Sequence, residues 1–504
     1  MSTQRFVCIH GHFYQPAREN PWTGTVPLAP DAYPFHDWNA RITAESYGPN
    51  GWSQVRDAMG RVAEVVNNYE RINFNFGPTL LSWLATNSRE VYEAILAADR
   101  ASAARFGGHG SAIAQGYNHL ILPLANRRDK RTQVLWGIGD FVHRFGRQPE
   151  GMWLPETAVD LETLDILAQQ GIAYTILAPR QIAATRAPGE SAWVENVNES
   201  VDPRHPYRVE LPSGRSIAVF VYHGALARAV AFERLLANGE HFAAALLGVF
   251  LPGRPQPQLA HIATDGETYG HHHTFGDMAL AYALRTIERE GGVRLTNYGE
   301  FLRLHPPTHT ARILENTSWS CAHGVERWRS DCGCASGAHP DWNQAWRAPL
   351  REALDWLRDE IAPRFEAELA GVVRDPWEAR DEYIALILRP EPAAEKEYLT
   401  RHQARRLTTT LRRRILGSMR MQRHLMLMYS SCGWFFDDIA GVEATMILRQ
   451  AGWVIQQARA HYQIDLLPGV LERLRPAVSN DPDAGDGAKV FLRACPELQQ
   501  TALI

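Results

Sequence analysis

Seven short apolar runs punctuate the first part of the chain, at residues 6–9, 72–76, 111–115, 151–154, 174–177, 217–222 and 259–263. Each is bounded by polar or turn-forming residues, the pattern of a buried strand. Several are followed by segments with apolar positions at helical spacing, such as 160–170 and 277–290. Strand, helix and strand in succession predict a parallel sheet with crossover helices. Seven such strands before residue 270 predict an α/β fold built on an incomplete seven-stranded (β/α) barrel. No glycine-rich loop follows the first strand, which counts against a dinucleotide-binding or P-loop fold.

Around Pro306 and Pro307 the pattern changes. A stretch rich in Cys, His, Trp and Gly runs over 318–346, and helical periodicity then dominates at 349–369, 376–387, 393–428 and 439–462. The expected organisation is a barrel over 1–310 and a Cys/Trp-rich loop with an α-helical domain over 311–475. A carboxy-terminal tail over 476–504 contains SNDPDAGDGAK, reads as loop, and is expected to be poorly ordered at its last residues. The arginine-rich stretch 401–423 has no interleaved aromatics, as single-strand nucleic-acid binding would require. Its arginines recur about once per helical turn, so a solvated helix face is expected.

Composition narrows the classes further. The 504 residues are 45% hydrophobic and 21% charged, ordinary globular usage that excludes wholesale disorder, collagen and coiled coil. The formal net charge is −4, so neither nucleic acid nor an anionic membrane is attracted by bulk charge. No run of about 18 apolar residues is present to span a membrane. The start MSTQRFVCIHGHF lacks a secretory pattern. Six cysteines in so long a chain are too few for a disulfide framework, and a reduced, cytoplasmic protein is expected.

Four segments are polar where a strand should end: His10-Gly-His12-Phe-Tyr-Gln-Pro, Tyr117-Asn-His119, Trp153-Leu-Pro-Glu156 and Thr264-Asp265-Gly-Glu267-Thr-Tyr-Gly-His271-His272-His273. In a parallel barrel, strand ends of one polarity meet at one mouth. Two carboxylates and several imidazoles can therefore converge from distant parts of the chain. Glycoside hydrolysis needs such a pair, one carboxylate to attack or activate water and one carboxylic acid to assist the leaving oxygen. Taken singly, each feature has a plainer reading: Pro155-Glu156 can open a helix, and Asp265-Gly266 is a common turn.

Together, HGHFYQP, YNHLILPL, GMWLPE and HIATDGETYGHH resemble the ordered motifs of glycoside hydrolase family 57. The later SWSCAHGVERWRSDCGC and YSSCGWFFDDIAG resemble a branch of it that carries a domain of unknown function after the barrel. The resemblance implies a helical domain that completes the cleft, and retaining action on α-glucans, by hydrolysis or transfer. It implies Glu156 as nucleophile and Asp265 as general acid/base, with His10, His12 and His119 lining the sugar subsite. Glu267, His271 and His272 would support the acid/base, and Trp153 would flank the nucleophile. The sequence departs from better-known members in its first motif, and in having Cys321, His323, Cys332 and Cys334 where a Trp-rich strip is usual.

The chemical rival is a metal-dependent, deacetylase-like or mannosidase-like enzyme using the same His/Asp cluster, since these side chains are competent Zn²⁺ ligands. The paired carboxylates explain more residues, so no metal or other cofactor is expected at the mouth. Cys321, His323, Cys332 and Cys334 carry two readings, a tetrahedral metal site and, preferred, a reduced loop. Trp434, in the segment WFFDD, either binds a sugar or plugs the core, with the aspartates capping the next helix. A carbohydrate-binding relic without activity is disfavoured by the intact carboxylate pair. The expected partner is an α-glucan, with no nucleic acid, no membrane, and the oligomeric state left open.

Overall fold

The computed structural model describes residues 4–500. The first three residues of the stretch read for a leader, and the last four of the tail expected to be poorly ordered, lie outside the described residues.

All seven expected strands form. They are β1 (Arg5–Phe13), β2 (Asn73–Phe76), β3 (Ala114–Gln115), β4 (Met152–Trp153), β5 (Tyr174–Leu177), β6 (Ser216–Val221) and β7 (Gln258–Asp265). β1 is central and buried after its first residue. It pairs in parallel with β7 from Arg5↔Gln258 to His12↔Asp265, and with β2 from His10↔Asn73 to Phe13↔Phe76. A parallel bridge Phe74↔Ala112 leads from β2 toward β3. β3 pairs with β4, a bridge Gly151↔Tyr174 joins β4 to β5, and β5 pairs with β6, all parallel.

The seam between β6 and β7 is thin: the His223 N–H donates to the His261 carbonyl at 2.9 Å, just beyond the end of β6. The reason lies in the other edge of β6, which pairs antiparallel with Tyr207–Glu210. That hairpin draws the sheet outward through His309–Ile313, Ile182–Arg186 and Val194–Glu195. The barrel is thus seven-stranded and incompletely closed, as expected.

Crossover helices follow from local chemistry. Leu161–Gln169 starts where Asp160 Oδ1 accepts the Thr163 N–H at 2.8 Å, an N-cap in place of a missing intrahelical bond. Gly276–Arg289 buries Leu280, Ala283, Leu284 and Ile287 along one stripe.

The chain divides into two units. The first comprises Met1–Gln15, Leu28–Gln115 and Phe141–Glu315, and contains the barrel strands. The second comprises Pro16–Pro27, Gly116–Asp140 and Asn316–Ile504. Within it Arg347–Leu369, Pro376–Glu382, Ile384–Leu388, Pro392–His402, Thr409–Leu427 and Val442–Tyr462 are helical. The first five close on a core that includes Trp136, Phe365, Tyr398 and Met419, and Val442–Tyr462 packs against Thr409–Leu427.

Two expectations change here. The helix expected over 393–428 is two helices, because Gln403 turns extended and pairs with Val373, and the Ala404 N–H donates to the Val372 carbonyl at 2.9 Å. Backbone groups that leave the helix are thereby satisfied, and Thr408 caps the restart by accepting the Leu411 N–H. The tail read as loop contains a helix, Gly487–Ala494, capped by Asp486 and burying Val490, Phe491 and Ala494. The solvated arginine face is present, with Arg405, Arg406, Arg412, Arg413 and Arg414 exposed. No described helix is long and apolar enough to cross a membrane.

Candidate active site

Parallel register places His10, His12, Asn73, Asn75 and Asp265 on one face of the sheet, since directly paired residues point the same way. The imidazoles are held by amides. His10 Nε2 meets Asn75 Oδ1 at 3.1 Å, Asn73 Nδ2 meets His10 Nδ1 at 2.9 Å, and Asn75 Nδ2 meets His12 Nδ1 at 2.9 Å. Asn75 Nδ2 also donates to Gln115 Oε1 at 2.8 Å. For His10 this network assigns the tautomer, with the proton on Nε2 facing Asn75 Oδ1 and Nδ1 accepting from Asn73. Trp153 stacks on both rings, with centroids 4.8 Å apart in each case. Burial drives both imidazoles down to about 3, so they are neutral hydrogen-bonding groups at any ordinary pH.

Glu156 follows β4 in a short turn, Pro155–Thr157, with backbone φ 57° and ψ 22°. Thr157 is also left-handed, at φ 51°. Two successive non-glycine residues in this region carry strain that the surroundings must hold. Gln181 supplies that hold from the turn after β5. Its Oε1 accepts from Thr157 Oγ1 at 2.8 Å and the Ala178 N–H at 2.9 Å, while its Nε2 donates to the Thr157 carbonyl at 2.8 Å.

Asp265 ends β7, beside His12 in register. Its carboxyl is pushed well above the usual carboxylate range, first by loss of hydration and then by the negative charges of Glu267 and Glu156. Yet Asp265 is the exposed end of an otherwise buried strand. The two facts agree if the accessible side opens into a concavity, where surrounding protein thins the hydration of a group that water still reaches.

Glu267 is buried and accepts from the Tyr47 hydroxyl at 2.5 Å and the Tyr14 N–H at 3.1 Å. Desolvation pushes it up to about 7 despite those donors. Gly266 lies against the Phe13 ring, where an added Cβ would come within 2.2 Å of a ring carbon. Gly270, at φ 135°, has the Glu45 carbonyl where a Cβ would sit. His271 Nδ1 is hydrogen-bonded to the Glu45 carboxylate, which Arg41 also holds. His272 faces solvent, and its imidazole is lowered to about 4 by burial of its surroundings and by its two histidine neighbours.

The structure therefore brings Glu156, Asp265, His10, His12, Trp153 and Glu267 together in the first unit. His119 and Trp434 belong to the second. There His119, at φ 56°, bonds Ser431 Oγ through Nδ1 at 2.6 Å, and its carbonyl accepts the Ser431 N–H at 2.9 Å. Trp434 is fully buried, donating its indole N–H to the Arg347 carbonyl at 3.3 Å with the Arg351 guanidinium 4.2 Å over its ring. Asp437 and Asp438 brace loops at Ser336 and Ser479 rather than capping the following helix, whose N-cap is Gly441.

Residues 50–313, more than half of the chain, match glycosyl hydrolase family 57. The chain belongs to that family. Residues 342–501 match a domain of unknown function, DUF3536, so this is a family 57 member with that domain after its barrel. A curated relative, alpha-amylase 1 of Dictyoglomus thermophilum, is 30% identical over 108 residues, 21% of this chain. The chain spans only 15% of that relative's length. Among solved structures, an exo-type maltose-forming amylase from Pyrococcus sp. ST04 superposes with TM-score 0.69 at 15% identity, covering 99% of this chain and 92% of its own. A branching enzyme of the family from Pyrococcus horikoshii gives TM-score 0.57 at 17% identity, covering 96% and 98%. These likenesses fix the family 57 barrel fold.

Asn73, Asn75, Gln115, Gln181 and Tyr47 were not anticipated as site residues. Asn73 and Asn75 had a signal, a polar pair at period two in the predicted strand INFNF. Gln181 stands at a strand end, a position that qualified the other candidates. Tyr47 lies 220 residues from its partner Glu267, outside any predicted element.

Proposed function

We propose that this family 57 chain is a retaining glycoside hydrolase or glucanotransferase acting on α-glucans. Glu156 attacks the anomeric carbon and forms a glycosyl ester as the glycosidic C–O bond breaks. The Asp265 carboxylic acid gives its proton to the departing oxygen. The resulting Asp265 carboxylate then takes a proton from water or an acceptor hydroxyl, whose oxygen displaces Glu156 and restores the starting configuration. The observation that carries this reading is the raised carboxyl of Asp265 beside the charge of Glu156. Asp265 is raised by lost hydration and by two neighbouring carboxylates, which keeps a proton available for the leaving group.

His10, His12 and Trp153 form a neutral wall beside Asp265, suited to sugar hydroxyls and a pyranose face. His10 is poorly suited to bind a metal, because both of its ring nitrogens are engaged by asparagine amides. A maltose-forming amylase and a branching enzyme among the fold relatives support α-glucan as substrate. A reducing, cytoplasmic setting suits the neighbouring free thiols of Cys321, Cys332 and Cys334.

The test is proton NMR of the first anomer released from a panel of maltooligosaccharides and amylose. Retained α-configuration is expected, together with loss of turnover by at least about a thousand-fold in Glu156→Gln with an unchanged melting temperature. Inverted product, or a normally active Glu156→Gln, overturns the assignment.

A further inference from the structure

Cys321, His323, Cys332 and Cys334 lie within a span of fourteen residues, in the pattern Cys-x-His-x8-Cys-x-Cys. Their ligand atoms all fall within 4.8 Å of one another. Cys321 Sγ is 4.0 Å from Cys332 Sγ and 3.8 Å from Cys334 Sγ, and Cys334 Sγ is 3.6 Å from His323 Nδ1. Zn–S bonds of about 2.3 Å and a Zn–N bond of about 2.0–2.1 Å make tetrahedral edges of about 3.8 Å between sulfurs and about 3.6 Å from sulfur to nitrogen. Those three edges fit that tetrahedron. Sulfurs at 3.8–4.0 Å are too far apart for a disulfide, whose S–S bond is about 2 Å.

From this geometry we propose that the second unit binds one structural Zn²⁺ through Cys321, His323, Cys332 and Cys334.

Three further features fit. Gly333, at φ 79°, lets Cys332 and Cys334 turn toward one point although only one residue separates them. Gly324, at φ 87°, follows the histidine at a place where a Cβ would meet the Asn316 carbonyl at 2.4 Å. Backbone N–H groups of His323 and Arg327 are hydrogen-bonded to Cys321 Sγ, and that of Ala322 to Cys334 Sγ, outer bonds of the kind that orient sulfur ligands.

The charge balance points the same way. Arg327 and Arg347 are buried, and neither is ion-paired with a carboxylate among the described residues. Arg327 donates to the carbonyls of Ser320 and Ala335, which flank the first and last cysteine, at 2.9 and 3.1 Å. Arg347 donates to the Phe435 and Phe436 carbonyls, while its Nε and Nη1 have no partner among the described residues. Cys332, Cys334 and the Asp437 carboxylate all lie near enough to Arg347 to interact with its charge. Three thiolates and a dication leave one net negative charge, which would offset the buried guanidinium charge. The ion would fasten the two arms of the loop that Arg327 already bridges.

The full chain, purified reduced and without metal-affinity steps, is assayed for zinc by mass spectrometry and for thiols after denaturation with chelator. About one zinc per chain is expected, with all six cysteines titrating as thiols. Cobalt exchanged into the wild type should show a thiolate charge-transfer band and the intense visible bands of a tetrahedral site. Zinc should fall below roughly a tenth of an equivalent in the Cys332→Ser/Cys334→Ser double variant. Retention of zinc in that variant overturns the proposal. So does a wild type that takes up neither metal, or one with a disulfide in place of two of the thiols. The cobalt spectrum is read on wild type, so it decides even if the variant misfolds.

Discussion

Histidines serve opposite ends in the two units. In the barrel, His10 and His12 come from one strand, their partners from residues some sixty positions away, and amides occupy both nitrogens of His10. In the helical unit, His323 reaches toward a thiol eleven residues away, on a loop bent by left-handed glycines. The first arrangement uses long-range strand register to fix neutral imidazoles as hydrogen-bonding groups. The second uses local chain curvature to gather soft donors around a point. The difference teaches that residue type alone does not mark a metal ligand. What the other ring nitrogen meets, and how far along the chain the partners lie, separates the two uses.

The largest expected effect tests whether the barrel site is carboxylate chemistry at all. Asp265→Asn should lower kcat on α-glucans by about 10²–10⁴-fold, the worth of a general acid. Substrates with activated leaving groups should lose much less, because departure no longer needs a proton. Zinc content should stay at the wild-type value. Loss of zinc in this variant would erase the contrast and move the metal to the strand ends.

Much of this contrast was legible in the sequence, for physical reasons that also explain what was not. Buried parallel strands are apolar on both faces, so all seven were read, and Glu156 and Asp265 were placed at the ends of the fourth and seventh. The cysteine group was legible as a candidate because its members are close in sequence, although the plainer loop reading was preferred. Gln181 and Tyr47 act on partners brought near only by the completed fold. The break after His402 depends on pairing between Gln403 and Val373, a tertiary event that periodicity does not record. The helix Gly487–Ala494 follows a cap residue and an apolar stripe that the polar tail composition masked.

A second test concerns Glu267, which is buried like the histidines but titrates in the opposite sense. Its folded pKa of about 7 lies above its ordinary value of 4.5. The folded state therefore binds more protons between those values, and stability is fully present below about 4.5 and lost as pH rises through about 7. The histidines, lowered from 6.5 to about 3, act the other way, removing stability as pH falls through that window. Replacing Glu267 by Gln deletes the first contribution, leaves that of the histidines, and relieves Asp265 of a negative neighbour, which acts in the same direction. Denaturant unfolding should show the variant gaining on wild type by up to about 3 kcal/mol between pH 4.5 and pH 8. A difference that is the same at both pH values would mean Glu267 does not hold a proton in the folded protein.

The smallest effect probes how the barrel holds strain where the helical unit uses glycine. Glu156 and Thr157 take left-handed backbone without being glycine, and Gln181 is their clamp. Gln181→Ala leaves a buried hydroxyl, carbonyl and N–H without partners, which costs about 2 kcal/mol in unfolding free energy. If the clamp also aims the carboxylate, kcat should fall about ten-fold or more with KM little changed, since small misplacements of a reacting group act on the transition state. Gln181→Glu keeps the two acceptor bonds to Thr157 Oγ1 and Ala178 and loses the donor bond to the Thr157 carbonyl, so it should recover part of kcat. A variant destabilised by the same amount with unchanged kcat would make Gln181 a packing residue. The turn would then hold its geometry without it, and the distinction between clamped strain in the barrel and glycine curvature in the zinc loop would fail.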